Sequence, residues 1–170
     1  MRSRRPVLAK STWAVLALDL SLSSSSCWRT TASIDKDAEV SGTPGRMCLF
    51  HWREEAQHAI IDEMEWRREH AKPFPPAQLD QAVTDLIELV GAADGLPQLQ
   101  ARADADHFIR VCEGSISEDE AKRILAGVLA AYRWQYIVSG VREPRFSQAL
   151  NGMITGSQAK RIGDALRLIM

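Results

Sequence analysis

Residues 51–70 read HWREEAQHAIIDEMEWRREH, and this stretch decides the fold because its apolar and polar side chains both recur at helical spacing. Trp52, Ala56 and Ala59 are separated by four and three residues, which places them along one side of an α-helix. We therefore predict a helix from about residue 47 to about residue 71, with one face packed against other helices. The sequence KPFPP at 72–76 ends it, because each proline disfavours the helical conformation in the residue before it.

The rest of the chain continues this helical pattern. Apolar residues return at intervals of three and four, and the alternation typical of β-strands is absent. The sequence predicts an all-α antiparallel bundle, because short connections place consecutive helices side by side. Gly95 and Pro97 are expected to kink or divide the second helix, and Ser117 with Glu120 forms a predicted capping box. The expected helices are 47–71, 78–113, 117–139 and 157–169, with a short one around 147–153.

The first 46 residues differ from the rest in composition. They begin with the basic MRSRRPVLAK, continue with an apolar run that Asp19 interrupts, and contain the low-complexity SSSSCW. The apolar run is shorter than the roughly 20 residues that a membrane span requires. We expect residues 1–46 to be disordered or loosely packed and residues 47–170 to form the bundle domain. The basic start leaves a weak export signal as an alternative.

Composition narrows the classes of function. A chain of 170 residues with 45% hydrophobic residues suits a single domain. Its 21 basic and 22 acidic side chains give a net charge of −1, without the basic surplus of a nucleic-acid-binding surface. Three cysteines without a CxxC spacing are typical of reduced thiols, which favours a cytoplasmic location. We expect no nucleic-acid partner and no integral membrane span, and a homo-oligomer is left open.

A polar stripe on the first predicted helix is the main candidate for a functional site. His51, Glu55, His58 and Asp62 follow one another at intervals of four, three and four residues. If neighbouring helices cover this stripe, its charges require a partner or a metal ion. Glu55 and His58 form Glu-x-x-His, which directs a carboxylate and an imidazole to the same side of one helical turn. We therefore predict a metal site with Glu55 and His58 as ligands and with His51 and Asp62 as supporting groups.

On these residues the segment resembles the metal-bearing helix of the ferritin-like superfamily of di-iron carboxylate proteins. The resemblance covers about 20 to 25 residues. It implies a four-helix bundle whose complete site takes Glu-x-x-His from each of two helices and one carboxylate from each of two others. Glu88 and Asp94 are then the carboxylates at the matching level of the second helix, and Asp104 with His107 could be a degraded second motif. Mixed carboxylate and imidazole ligands suit iron or manganese and imply oxidation, oxygenation or iron handling.

A different class of function remains open beside the metalloprotein. In this alternative the chain is a metal-free helical bundle, acting as a structural or protein-interaction module, and ion pairs or a partner protein satisfy the polar stripe. A zinc protease is excluded because its His-Glu-x-x-His places imidazoles four residues apart, whereas His51 and His58 are seven apart. The sequence also contains no phosphate-binding glycine loop, dinucleotide fingerprint or credible nucleophilic triad.

Overall fold

The computed structural model of the chain describes residues 7–29, 42–112 and 114–170, and all regular structure in these ranges is helical. This confirms the predicted all-α helical bundle. A 3₁₀ turn at Val7–Ala9 comes before the first α-helix, and a π-helical turn at Trp134–Val138 follows the fourth. The α-helices are α1 (Thr12–Arg29), α2 (Gly42–His70), α3 (Pro76–Val111), α4 (Glu118–Arg133), α5 (Ser139–Arg142), α6 (Pro144–Met153) and α7 (Gly156–Arg167).

Helix α1 corrects the predicted domain start at residue 47. Trp13, Ala14 and Ala17 are completely buried, and Leu20 is nearly so. The helix packs against α2, α3 and α5, so it is an integral part of the bundle and not a loosely attached segment. The expectation of disorder for residues 1–6 and 30–41 lies outside the described residues. Helix α2 also begins earlier than predicted, at Gly42.

The serine run explains why α1 did not stand out in the sequence. Ser21, Ser24 and Ser25 are buried, and the hydroxyl of Ser25 donates a hydrogen bond to the Leu22 carbonyl oxygen at 2.7 Å. Such small side chains allow two backbones to approach closely. A Cβ atom added to Gly140 would lie only 2.0 Å from the Ser21 carbonyl oxygen. Ser21, Ser24 and Ser25 therefore lie on a closely packed face of α1.

Aromatic side chains from three helices form the centre of the core. The rings of Trp13 and Trp66 have centroids 5.1 Å apart, and Trp66 stacks on Phe146 at 5.7 Å. Offset and tilted ring pairs of this kind add stability beyond the apolar area that they bury. The principal neighbour of α2 is α1, whereas the sequence predicted α3.

Helix α3 runs without interruption through the expected break. Pro97 lies inside it and is buried, so the helix is not divided near Gly95 and Pro97. The loss of one backbone donor at Pro97 does not end the helix. The capping box at the start of α4 is confirmed, with reciprocal hydrogen bonds between Ser117 and Glu120. Within the described ranges, no helix is both long enough and apolar enough to cross a membrane.

Candidate metal centre

The end of the predicted polar stripe, at His58 and Asp62, lies beside α1. His51 is exposed, Glu55 is half-buried, and the side chain of His58 is 55% exposed. His58 Nδ1 lies 3.6 Å from Glu55 Oε2, so the structure brings these two predicted ligands together. Their proximity follows from their spacing of three residues within one helix. His51 lies one turn before Glu55, on the same line of the helix.

Asp62 connects the stripe to α1. Its Oδ2 accepts a hydrogen bond of 2.9 Å from the hydroxyl of Ser23. Asp62, His58 and Ser23 line a cleft of about 290 Å³ between the two helices, together with Asp19. Asp19 and Ser23 are four residues apart on α1, which places both on the face next to the cleft. The cleft thus contains two carboxylates and one imidazole.

The carboxyl groups of Asp19 and Asp62 influence each other electrostatically. Partial burial raises the pKa of Asp19, and the negative charge of Asp62 raises that pKa further. Among the side chains that the structure describes, no lysine or arginine forms an ion pair with either carboxylate. Two carboxylates in this arrangement are stabilised by a proton or by a cation between them. Asp19 and Asp62 therefore form the most negatively charged part of the α1–α2 cleft.

Glu88 lies outside this cleft and has its own cationic partner. The ammonium group of Lys10 forms an ion pair with Glu88 and another, at 3.2 Å, with the buried Asp85. Asp85 also accepts a hydrogen bond of 2.9 Å from the backbone N–H of Ser11. Burial alone would raise the pKa of Asp85, but hydrogen bonds from Ser11, Gln81 and Lys10 outweigh it and lower that pKa. These contacts attach the start of α1 to α3.

Asp94 is buried, and both of its carboxylate oxygens accept hydrogen bonds. Its two carboxylate oxygens accept hydrogen bonds of 2.8 and 2.7 Å from Arg133, and Gln98 donates a further bond of 2.6 Å. Hydrogen bonding by Arg133 lowers the pKa of Asp94 despite its burial. Paired hydrogen bonds of this type are among the strongest between side chains. A guanidinium therefore occupies the position beside Asp94 that the sequence assigned to a metal ion.

Asp104 and His107, the candidate second motif, also have separate partners. Asp104 accepts hydrogen bonds from the hydroxyl of Tyr132 and from Gln100. His107 is exposed, and its Nδ1 lies 2.9 Å from a guanidinium nitrogen of Arg110. In the described structure, no hydrogen bond or ion pair joins Asp104 to His107, so the two do not pair as Glu55 and His58 do.

The donor atoms of the cleft are of the types that iron and manganese bind. In the described part of the chain, however, no group of three or more His, Cys, Asp or Glu side chains is arranged so that it could hold one metal ion. Asp19 is the residue that sequence reasoning missed, since it was interpreted as an interruption of an apolar run. Its spacing of four residues from Ser23 was the available signal, but the facing Asp62 depends on how α1 packs on α2.

A second concave site lies on the other side of α1 and is almost entirely apolar. It has a volume of about 260 Å³ and is lined by α1, α3, α6, the last turns of α7 and Val141. Among the described residues that line it, Ser21 has the only polar side chain. Its described lining is therefore apolar apart from one hydroxyl group, whereas the α1–α2 cleft contains carboxylates and an imidazole.

Comparison with known proteins found no matching protein-family model, no matching curated protein and no matching solved structure.

Proposed function

We propose that this helical bundle binds a redox-active divalent metal ion, iron or manganese, in the cleft between α1 and α2. The observation that carries the proposal is that Asp19, Asp62 and the imidazole of His58 line the same cleft, where burial and the negative charge of Asp62 raise the pKa of Asp19. The two carboxylates come from different helices, and no described basic side chain neutralises them. A cation at this point would offset their repulsion and link α1 to α2.

Each residue of the stripe has a distinct part in this proposal. Asp19 and Asp62 are the proposed oxygen ligands, and His58 is the proposed nitrogen ligand. Because the described side chains are not already arranged around one ion, binding would have to draw these three groups together. The contact of Glu55 with His58 Nδ1 leaves Nε2 of the ring available and favours the tautomer that can bind through it. His51 lies one turn further along α2, where we expect it to support the site without direct binding. The bound ion would supply a redox centre with open coordination positions for oxygen.

We also propose that the bundle is a member of the ferritin-like superfamily. Its support is the Glu-x-x-His motif of Glu55 and His58 on a long helix of an all-helical bundle. Glu88 and Asp94 are not part of the proposed ligand set, because Lys10 and Arg133 already engage them. The proposed site is therefore smaller than a complete di-iron centre, and oxidation and iron handling are the functions that it would serve.

Metal analysis of the full chain, expressed without a histidine tag in iron-replete medium, tests the proposal. We expect close to one equivalent of iron or manganese, and a rise in the melting temperature when Mn²⁺ is added to metal-free protein. Asp62→Asn and His58→Ala should each abolish both effects, whereas His51→Ala should weaken binding by roughly 10–100-fold.

His107→Ala is the matched control, because this exposed histidine lies on α3 away from the cleft. It should leave metal content and the Mn²⁺ response unchanged. The proposal is wrong if untagged protein contains far less than one equivalent of metal, or if Asp62→Asn retains binding.

A protein-interaction module is the second candidate, favoured by the exposed apolar surface of the hairpin formed by α3 and α4. Helix α4 has no fully buried residue, and several large apolar side chains of α3 are exposed: Leu96, Leu99, Phe108 and Val111. Large apolar side chains that are exposed in number favour a surface that binds another protein. Absence of metal from the untagged protein, combined with loss of partner binding in Leu99→Glu, would support this candidate over the first.

A further inference from the structure

The apolar cavity on the other side of α1 continues the hydrophobic core outward. Its volume is about 260 Å³, and aliphatic side chains of α1, α3 and α7 supply most of its lining. Leu18, Val90 and Ile162 pack against the core but are only half-buried, because the cavity lies on their other side. Protein interiors are close-packed, and an unfilled void lowers stability. A molecule that fills this cavity would therefore stabilise the bundle.

The mouth of the cavity lies between α3 and the residues that follow α7. Gly91 and Leu168 are exposed there, whereas the other described residues of the lining are buried or half-buried. Leu86 and Phe146 are among the buried ones. A small molecule that enters beside Gly91 and Leu168 would thus be largely enclosed, as ligands of this size are in protein cavities.

Ser21 gives this lining its one described polar side chain. Ser21 is only 6% exposed, and within the described part of the chain its hydroxyl group forms no hydrogen bond. The hydroxyl of Ser25, one turn further along α1, differs because it donates to the Leu22 carbonyl oxygen. A buried hydroxyl without a partner costs free energy, and an oxygen atom of a bound molecule would remove that cost.

The charges around the cavity indicate a neutral ligand. No charged side chain belongs to the described lining. On α7 beside it, Arg161 forms an ion pair with Asp80, and Arg167 forms one with Asp164, so both guanidinium groups already have carboxylate partners. An ionised molecule would lose its hydration in the cavity without gaining a counter-ion.

We propose that this cavity binds a medium-chain aliphatic alcohol, whose hydroxyl group forms a hydrogen bond with Ser21. Apolar cavities of about 150 Å³ are large enough for benzene, so a volume of about 260 Å³ corresponds to on the order of ten non-hydrogen atoms. 1-Octanol is about this size. The site is separate from the proposed metal site, because Leu18 and Ser21 of α1 line the cavity, whereas Asp19 and Ser23 line the cleft beside α2.

Titration calorimetry of the full chain with 1-octanol, in the presence of EDTA, tests this binding separately from metal binding. We expect saturable binding of one molecule per chain and a higher melting temperature in its presence. Octanoate has a chain of the same length but a carboxylate, so at pH 7 it should bind more weakly by about tenfold or more. Asp62→Asn alters the metal cleft and should leave 1-octanol binding unchanged.

Ala165→Leu is the variant that fills the cavity. Ala165 and Ile162 are three residues apart on one face of α7, and both line the cavity. The added carbon atoms should weaken 1-octanol binding by about tenfold or more without lowering the melting temperature, because they occupy free volume. Ala165→Val adds fewer atoms and should have an intermediate effect. Ala92→Leu, at an exposed alanine of α3 outside this lining, is the matched control and should bind 1-octanol as wild type does.

Ser21→Ala tests the hydroxyl group. Loss of one neutral hydrogen bond should weaken 1-octanol binding by about two- to tenfold. Toluene has no oxygen atom and should bind wild type and Ser21→Ala equally, whereas a general loosening of the core would weaken both ligands. Absence of saturable 1-octanol binding, unchanged binding in Ala165→Leu, or equal binding of octanoate would overturn the proposal.

Discussion

Replacing Gly140 by alanine tests whether α1 is docked as the structure describes. Gly140 lies in α5, and a Cβ atom at this position would be 2.0 Å from the Ser21 carbonyl oxygen and 2.7 Å from its hydroxyl oxygen. Ordinary contacts of a Cβ atom begin near 3.4 Å. Because the closest obstacle is a backbone atom, the new methyl group cannot be accommodated by rotating a side chain. Helices α1 and α5 would have to separate by more than an ångström.

The expected cost combines two opposing effects. Overpacking of a closely packed site costs about 1–3 kcal/mol, and a backbone obstacle places Gly140→Ala at the upper end of that range. Alanine in place of glycine within a helix recovers about 0.5–1 kcal/mol. We therefore expect a net loss of about 2 kcal/mol in the free energy of unfolding. For a chain of this size, that corresponds to a fall of about 4–8 °C in melting temperature.

Thermal unfolding followed by circular dichroism measures this difference, and Gly127→Ala provides a control of opposite sign. Gly127 lies in α4, and an added Cβ atom would meet nothing within 4 Å. That variant should be stabilised by about 0.5–1 kcal/mol, because only the gain in helix formation remains. If Gly140→Ala is neutral or stabilising in the same way, the close contact between Ser21 and Gly140 does not exist in the folded protein.

Two further predictions concern the core. Arg133→Met should lower the free energy of unfolding by about 3 kcal/mol or more, because the buried carboxylate of Asp94 would lose its cation. Hydrogen bonds from Arg133 hold the pKa of Asp94 below its usual value of 3.8, so their contribution is complete above that value and is lost as the pH falls towards the folded-state pKa. In urea titrations, the stability difference between wild type and Arg133→Met should therefore be smaller at pH 3 than at pH 7, and a constant difference would contradict this. Trp13→Ala should cost about 3–5 kcal/mol and shift the fluorescence of Trp66 to longer wavelength, whereas a loose N-terminal segment would leave both unchanged.

Local spacing explains how much of the fold could be predicted from the sequence. The helical regions of α2 to α4, the proline-rich boundary after α2 and the capping box of α4 depend on residues within a few positions of one another. Helix α1 was missed because serine has only moderate helix propensity and four of them occur together. The small side chain of the neighbouring Ser21 becomes an advantage only because another backbone, that of Gly140, lies against it. That contact is long-range, so no local pattern reveals it.

In the candidate site, too, the sequence predicts the contacts within one helix but not the contacts between helices. Glu55 and His58 could be placed together because a spacing of three residues in one helix determines their proximity. Glu88 and Asp94 were placed beside them on the assumption that α3 covers α2. The insertion of α1 beside α2 changed this arrangement, because it brings Asp19 to the stripe. To predict that Asp19 lies beside the stripe, one would have to know that α1 packs against α2.

The distribution of cations over the bundle indicates where an added metal ion could be stabilised. The acidic residues of α3 already have basic partners from other elements. Lys10 forms ion pairs with Asp85 and Glu88, and Arg133 forms one with Asp94. A metal ion at these positions would have to displace a lysine or an arginine. Displacement would leave that basic group without its partner, at a cost comparable to breaking a buried ion pair. Between α1 and α2, by contrast, burial raises the pKa of Asp19, and the negative charge of Asp62 raises it further. A carboxyl group whose pKa is raised by folding opposes folding at neutral pH, and a bound cation would reverse this effect. Asp62→Asn should therefore stabilise the metal-free protein while removing its response to Mn²⁺, a combination that a purely structural role for Asp62 does not produce.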